Sequence, residues 1–174
     1  MANYAVVRTD KMMGTDVRSM LVSIEFLGAN GATPTAIENG NVLKVGALKG
    51  DSTNGYEREI YVGSTPAAND NLDDVVLVAS PELIYGCHTH DLRNFINEAG
   101  RPCRGYHLHS GDIFSVTKEA LAGAASPAIG NKVELKADTK LNVAASATNG
   151  STQVGEIIAI DVVGGLTFYV IEVA

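Results

Sequence analysis

The sequence predicts a mainly β protein with one short amphipathic helix. Short runs of β-branched and aromatic residues alternate with turns rich in Gly, Asn and Asp, which is the pattern of strands and hairpins. The chain has 18 glycines, four phenylalanines and no tryptophan. This composition favours many turns and thin layers filled by small aliphatic side chains. Helical periodicity is clear in one segment, and the remaining apolar runs are too short for helices.

The first half of the chain contains four strand candidates, preceded by a segment without regular periodicity. The candidates are 21–26, 42–46, 57–62 and 75–79. The last of them is apolar at every position, so we expect a central strand that is covered on both faces. Residues 1–20 carry mixed charges and are expected to form an arm that becomes ordered on a partner, with a frayed terminus as the alternative. Deleting such an arm should leave the melting temperature nearly unchanged.

The amphipathic helix is predicted near residues 90–99. The apolar residues at i, i+3, i+4 and i+7 are Leu92, Phe95, Ile96 and Ala99. This spacing forms a single stripe on a helix. Thr89 suits the N-cap, and Gly100 suits the left-handed turn after the last helical residue. The stripe should face the core, while Asn94 and Asn97 should face water.

The rest of the chain returns to β structure. A strand is expected at 113–116, and the small-residue segment 122–127 marks the predicted domain boundary. Beyond it lie four evenly spaced strand candidates, 132–135, 141–144, 154–161 and 166–173. Turns at Asn149-Gly150 and Gly164-Gly165 allow positive φ, as hairpins require. We therefore expect a small antiparallel β-barrel or sandwich at the C-terminal end.

The predicted organisation has three parts. Residues 1–20 form the arm, residues 21–121 form a β-rich domain that includes the helix, and residues 127–174 form a small β-barrel-like subdomain. A chain of 174 residues is long enough for one domain with a small satellite.

Charge and sequence motifs narrow the classes of function. Thirteen basic and 20 acidic side chains give a net charge of −7, which argues against a nucleic-acid partner because binding nucleic acid depends on a basic face. No apolar run approaches the length of a membrane span, and the first residues lack the pattern of a secretory signal. We therefore expect a protein that is made in the cytoplasm.

Motifs for nucleotide binding and for serine hydrolysis are absent from the sequence. The adjacent carboxylates Asp73 and Asp74 have the pattern of a solvated turn rather than of a catalytic pair. No catalytic residue is predicted.

The cysteines and histidines form the one cluster that could bind a metal. All of them lie between residues 87 and 109, and the candidate ligands are Cys87, His90, Cys103 and His107. Their spacing, C-x2-H, twelve residues, then C-x3-H, resembles a four-ligand zinc site with permuted ligand types. The cluster predicts a structural zinc that ties together the two ends of the helical segment. The alternative interpretation is a group of unliganded, partly exposed histidines.

Several stretches resemble decoration proteins of tailed-bacteriophage heads, the auxiliary or cement-type proteins encoded in head modules of Firmicutes phages. The stretches are 36–46, 65–82, 97–106, 108–117 and 155–173. The most distinctive is 108–117, Leu-His-Ser-Gly-Asp-Ile-Phe-Ser-Val-Thr. The Cys/His cluster departs from the pattern of this family, so a metal site would be a local addition.

The resemblance implies a virion structural protein on the capsid surface. Its partner would be the major capsid protein, it would have no catalytic residues, and self-association is left open. A tail or baseplate module and a metal-dependent enzyme remain the alternatives. Gene neighbours that encode a scaffold, a protease and a capsid protein would distinguish them.

Overall fold

The computed structural model describes residues 3–8, 21–29, 31–50, 59–82 and 92–174. The strands in these ranges are β1 (Leu21–Phe26), β2 (Val42–Leu48), β3 (Ile60–Ser64), β4 (Val75–Val78), β5 (Cys103–His107), β6 (Ile113–Thr117), β7 (Leu121–Gly123), β8 (Lys132–Glu134), β9 (Leu141–Ala144), β10 (Gln153–Val163) and β11 (Leu166–Val173). Single 3-10 turns occur at Leu72–Asp74, Leu92–Asn94 and Lys118–Ala120. The mainly β class is confirmed.

The first five strands form a closed barrel in the order β1-β3-β2-β4-β5, with β5 pairing back to β1. β1 and β3 are parallel, and the other neighbours are antiparallel. The interior is narrow. A Cβ atom added at Gly105 would lie 2.7 Å from Cγ2 of Val76, so glycine at this position leaves room for the Val76 side chain inside the barrel.

The other six strands form a curled sheet in the order β6-β11-β10-β8-β9-β7. The C-terminal strand β11 lies between β6 and β10, as expected for a C-terminus paired inside the sheet. The closed barrel is therefore formed by the N-terminal half, whereas the C-terminal end, where a small barrel or sandwich was predicted, forms part of the curled sheet. In this order β6 and β7 are the two edge strands. Among the described residues they do not pair with each other, so the sheet is open.

The outer face of the barrel packs with the sheet in one hydrophobic core, and the barrel interior forms a second core. β4 is buried at every position, as predicted from its uniform apolar sequence. Val76 and Val78 pack inside the barrel, whereas Val75 and Leu77 pack with Phe114 and other residues of the sheet. β6 precedes the predicted boundary at 122–127 and β7 overlaps its first residues, yet both strands belong to the second sheet.

The described part of the predicted arm is a buried element. Ala5, Val6 and Val7 are at most 2% exposed. The carbonyl of Val6 accepts a hydrogen bond from the N–H of Thr117, and Val7 forms an antiparallel bridge with Val116. This stretch of the predicted arm is therefore packed against β6; residues 1–2 and 9–20 lie outside the described residues, and the arm as a whole stays a prediction.

The predicted amphipathic helix is not confirmed. Within its described part, Leu92–Asn94 forms a single 3-10 turn. Asn97 then pairs with Ile37 as an isolated β-bridge and is buried rather than facing water. The side chain of Leu92 is exposed, so the stripe does not face the core as a unit. No helix among the described residues has the length and hydropathy needed to cross a bilayer.

Candidate functional site

The structure locates two of the four predicted zinc ligands. Cys103 and His107 are the first and last residues of β5. At a rise of about 3.3 Å per residue their Cα atoms lie about 13 Å apart, which is too far for both side chains to bind one tetrahedral ion while β5 is intact. Cys87 and His90 lie outside the described residues, so their role as ligands stays a prediction.

The environment of Cys103 is that of a core residue. Its side chain packs inside the barrel, and Sγ donates a hydrogen bond to the carbonyl of Ile24 at 3.2 Å. Burial raises the pKa of the thiol to about 12. Because metals bind the thiolate, this environment disfavours ligation by Cys103. The described residues contain no group of three or more His, Cys, Asp or Glu side chains placed to hold a metal.

A different feature, the β10–β11 hairpin, is the candidate functional surface. β8 pairs with β10 only as far as Glu156, and the N–H of Gly130 binds the next carbonyl, that of Ile157. On the opposite side, β6 pairs with β11 from Phe168 onward. The hairpin tip, residues 158–167, therefore has no neighbouring strand on either side within the described ranges.

Two glycines make the turn of the hairpin tip. Gly164 and Gly165 have φ angles of 59° and 79°, and Val163 pairs with Leu166 across them. Positive φ at both central residues is the type I′ turn, whose twist matches that of the flanking strands. The hairpin turn predicted from this glycine pair is confirmed. The tip is thus a regular two-stranded ribbon.

Aliphatic side chains dominate the exposed surface of this ribbon. The exposed members are Ile158, Ile160, Val162 and Val163, with Val162 72% exposed. Ile129 is also exposed and precedes Gly130, which hydrogen-bonds to Ile157 at the base of the ribbon. We call these five residues the aliphatic patch. Clustered exposed aliphatic side chains are typical of protein-binding surfaces.

The backbone of the hairpin tip also offers groups that have no partner among the described residues. In a two-residue turn the flanking pair, Val163 and Leu166, is hydrogen-bonded, so bonded and non-bonded pairs alternate along the ribbon. The N–H and C=O groups of Ile160 and Val162 therefore point away from β11, along the free edge of β10. This edge is a template for another strand.

One charged residue interrupts the hairpin tip. Asp161 lies between Ile160 and Val162 and pairs across the ribbon with Phe168. Its side chain is exposed, and no other residue from 158 to 167 carries a charge. A partner strand on this edge would therefore meet a carboxylate flanked by two aliphatic residues.

Sequence reasoning located the strand and the turn but not the exposed edge. The available signal was the length of the apolar run. Residues 157–163 are apolar except for Asp161 and lack the polar alternation of a half-buried strand. β10 has 11 residues, whereas the neighbouring strand β8 has three. The sequence does not show which partner strands are short, so it does not reveal which part of β10 is uncovered.

Comparison of the chain with protein-family models, curated proteins and solved structures found no match.

Proposed function

We propose that this protein is a structural protein of a tailed-phage virion that binds the outer surface of the assembled capsid and stabilises it. The resemblance of stretches such as 108–117 to head decoration proteins supports the phage setting. The observation that carries the proposal is the hairpin tip with its aliphatic patch, which provides a surface for binding another protein without a catalytic step.

The proposed mechanism is stabilisation by mass action. A ligand that binds only the mature lattice stabilises that lattice, and many symmetric copies multiply a modest energy per site. The net charge of −7 steers the chain towards basic patches on the shell, but salt screens that attraction. The lasting contact should therefore be aliphatic packing and strand pairing at the hairpin tip.

The test is co-sedimentation of the purified protein with expanded capsids, unexpanded procapsids and tail tubes of the phage that encodes it. Saturable binding to expanded capsids alone is the expected result. Capsids that lack the protein should assemble but lose their DNA at a lower temperature. Binding to tails alone would support the tail-module alternative, and binding to none of the three would contradict a virion role.

A further inference from the structure

We propose that the free edge of β10 binds an extended segment of a partner protein as an added antiparallel strand. The segment would carry aliphatic side chains opposite Ile160 and Val162 and a basic side chain opposite Asp161. Identifying that segment as part of the capsid shell rests on the function proposed above. The strand-binding property itself does not.

The first argument comes from the backbone. The outward N–H and C=O groups of Ile160 and Val162 provide four hydrogen-bonding groups at the spacing of an antiparallel ladder. The stretch from residue 158 to residue 163 is about 17 Å long at 3.4 Å per residue, which is enough for a short strand. Added strands bind through such main-chain bonds and obtain specificity from alternate side chains.

The second argument comes from side-chain pairing. Residues directly opposite each other in an antiparallel pair lie on the same face of the sheet, with Cβ atoms about 4.5–5.5 Å apart. Aliphatic residues opposite Ile160 and Val162 would cover side chains that are now exposed. Asp161 lies at the closer, non-hydrogen-bonded type of position, where an opposite charge is favourable and a like charge is not.

The same carboxylate disfavours a second copy of this chain as the occupant. In the two-fold register that pairs Ile160 of each copy with Val162 of the other, two Asp161 side chains are directly opposed. Each copy also carries a net charge of −7, so long-range repulsion opposes their approach. Charge complementarity therefore favours a partner segment that alternates aliphatic and basic residues.

The test uses a labelled synthetic peptide in which valine alternates with lysine, titrated by fluorescence anisotropy at physiological salt. The control peptide has glutamate in place of lysine. We expect saturable binding of the lysine peptide, about 10-fold tighter than the glutamate peptide. N-methylation of the peptide amides that face the edge should abolish binding, because it removes the ladder donors and keeps the charge.

Two variants of the protein locate the site. Asp161→Lys should reverse the preference between the two peptides. Asp73→Lys is the matched control, because Asp73 is an exposed acid in the 3-10 turn Leu72–Asp74 and not part of the hairpin tip, and it should leave the preference unchanged. Both variants should keep the wild-type melting temperature. Equal loss of binding in the two variants would show that net charge alone attracts the peptide, and would overturn the proposal.

Two further outcomes separate this inference from the proposed function. If the lysine peptide binds but expanded capsids do not, the strand site stands and the capsid role fails. If capsids bind the wild type and Asp161→Lys equally well, the capsid role stands and the inferred contact is wrong. A concentration-dependent dimer that Ile160→Lys dissociates, without peptide binding, would identify a second copy as the occupant and overturn the inference.

Discussion

Glu134 accepts three hydrogen bonds although its side chain is almost completely buried. The donors are the N–H of Thr148 at 2.9 Å, the Oγ1 hydroxyl of Thr148 at 2.6 Å and Nδ2 of Asn142 at 2.8 Å. Burial raises the pKa of this carboxyl, but the hydrogen bonds from Thr148 and Asn142 outweigh burial and hold the pKa below its ordinary value. One carboxylate thereby joins β8, β9 and the loop that leads to β10.

Replacing Glu134 with glutamine should lower the free energy of unfolding by about 1–3 kcal/mol at pH 7, because charge-assisted hydrogen bonds are lost. A depressed folded-state pKa means that the stabilisation is complete above the unfolded value of 4.5 and disappears as pH falls through the lower folded value. The difference between variant and wild type should therefore shrink below pH 4.5. Urea unfolding across this pH range measures it.

Glu156→Gln is the matched control for this prediction. Glu156 forms an ion pair with Lys132 but is 41% exposed, so the same substitution should cost less than about 1 kcal/mol. A cost for Glu134→Gln that did not vary with pH would contradict the assigned role of the carboxylate.

The segment after Leu92–Asn94 shows how pairing with a distant residue replaces local helical propensity. The N–H and C=O of Asn97 both bond to Ile37, and its side chain donates to Ile37 O and to Asn39 Oδ1, each at 3.0 Å. Asn39 Nδ2 in turn donates to the carbonyl of Ser80, two residues after β4, and the N–H of Ser80 donates to Asn39 Oδ1. These bonds satisfy buried polar groups that a short helix at this position would leave unpaired.

Asn97→Ala should therefore lower the free energy of unfolding by about 1–2 kcal/mol, because two side-chain hydrogen bonds to buried acceptors are removed. Asn94→Ala is the matched control on the same loop and should change it by less than about 0.5 kcal/mol. Chemical denaturation of both variants tests this difference. The helical interpretation places both asparagines in water and predicts equal, small effects.

The N-terminal strand-like segment, residues 3–8, should contribute to global stability. Deleting residues 1–8 removes the buried residues Ala5, Val6 and Val7 and exposes the edge of β6. We expect the melting temperature to fall by about 6–24 °C, since burial of the two valines contributes about 3–6 kcal/mol and each kcal/mol shifts the melting temperature of a chain of this size by about 2–4 °C. A chain that lacks only residues 1–2 is the control, and an unchanged melting temperature for both deletions would support the arm predicted from the sequence.

At the scale of the whole molecule, the barrel and the sheet are joined by contacts as well as by the chain. Val42 and Leu77 of the barrel pack in the same core as Phe114 of the sheet. The N–H of Val42 bonds to the carbonyl of Thr139, and the Thr152 hydroxyl bonds to the carbonyl of Asp70. A shared core of this kind favours a single cooperative unfolding transition.

Leu77→Ala should test this cooperativity. Leu77 is fully buried between the two units, so its truncation should cost about 2–5 kcal/mol and lower the stability of both in one transition. Leu48→Ala is the matched control, because Leu48 is 46% exposed, and it should cost less than about 0.5 kcal/mol. Circular dichroism and calorimetry measure the two variants, and separate transitions would show that barrel and sheet fold independently.

The sequence by itself determined several of the local elements, though not the segment from 92 to 99. β4 was predictable as a central strand because every position is apolar, and the β10–β11 turn was predictable because two adjacent glycines permit positive φ. The mainly β class follows from many such local signals. Each of these signals comes from residues that are near one another in the chain, and the backbone preferences of those residues decide between strand and turn.

Tertiary structure alone decided the partners of these elements. The pairing of β5 with β1 closes the barrel in the N-terminal half, and the bridge from Asn97 to Ile37 replaces the expected helix. The separation of Cys103 from His107 along β5 keeps these two side chains from binding one zinc ion. Among the described residues, β8 pairs with β10 only as far as Glu156, so no strand covers Ile160 and Val162. These outcomes depend on contacts between residues far apart in sequence, whose register and burial no local pattern records.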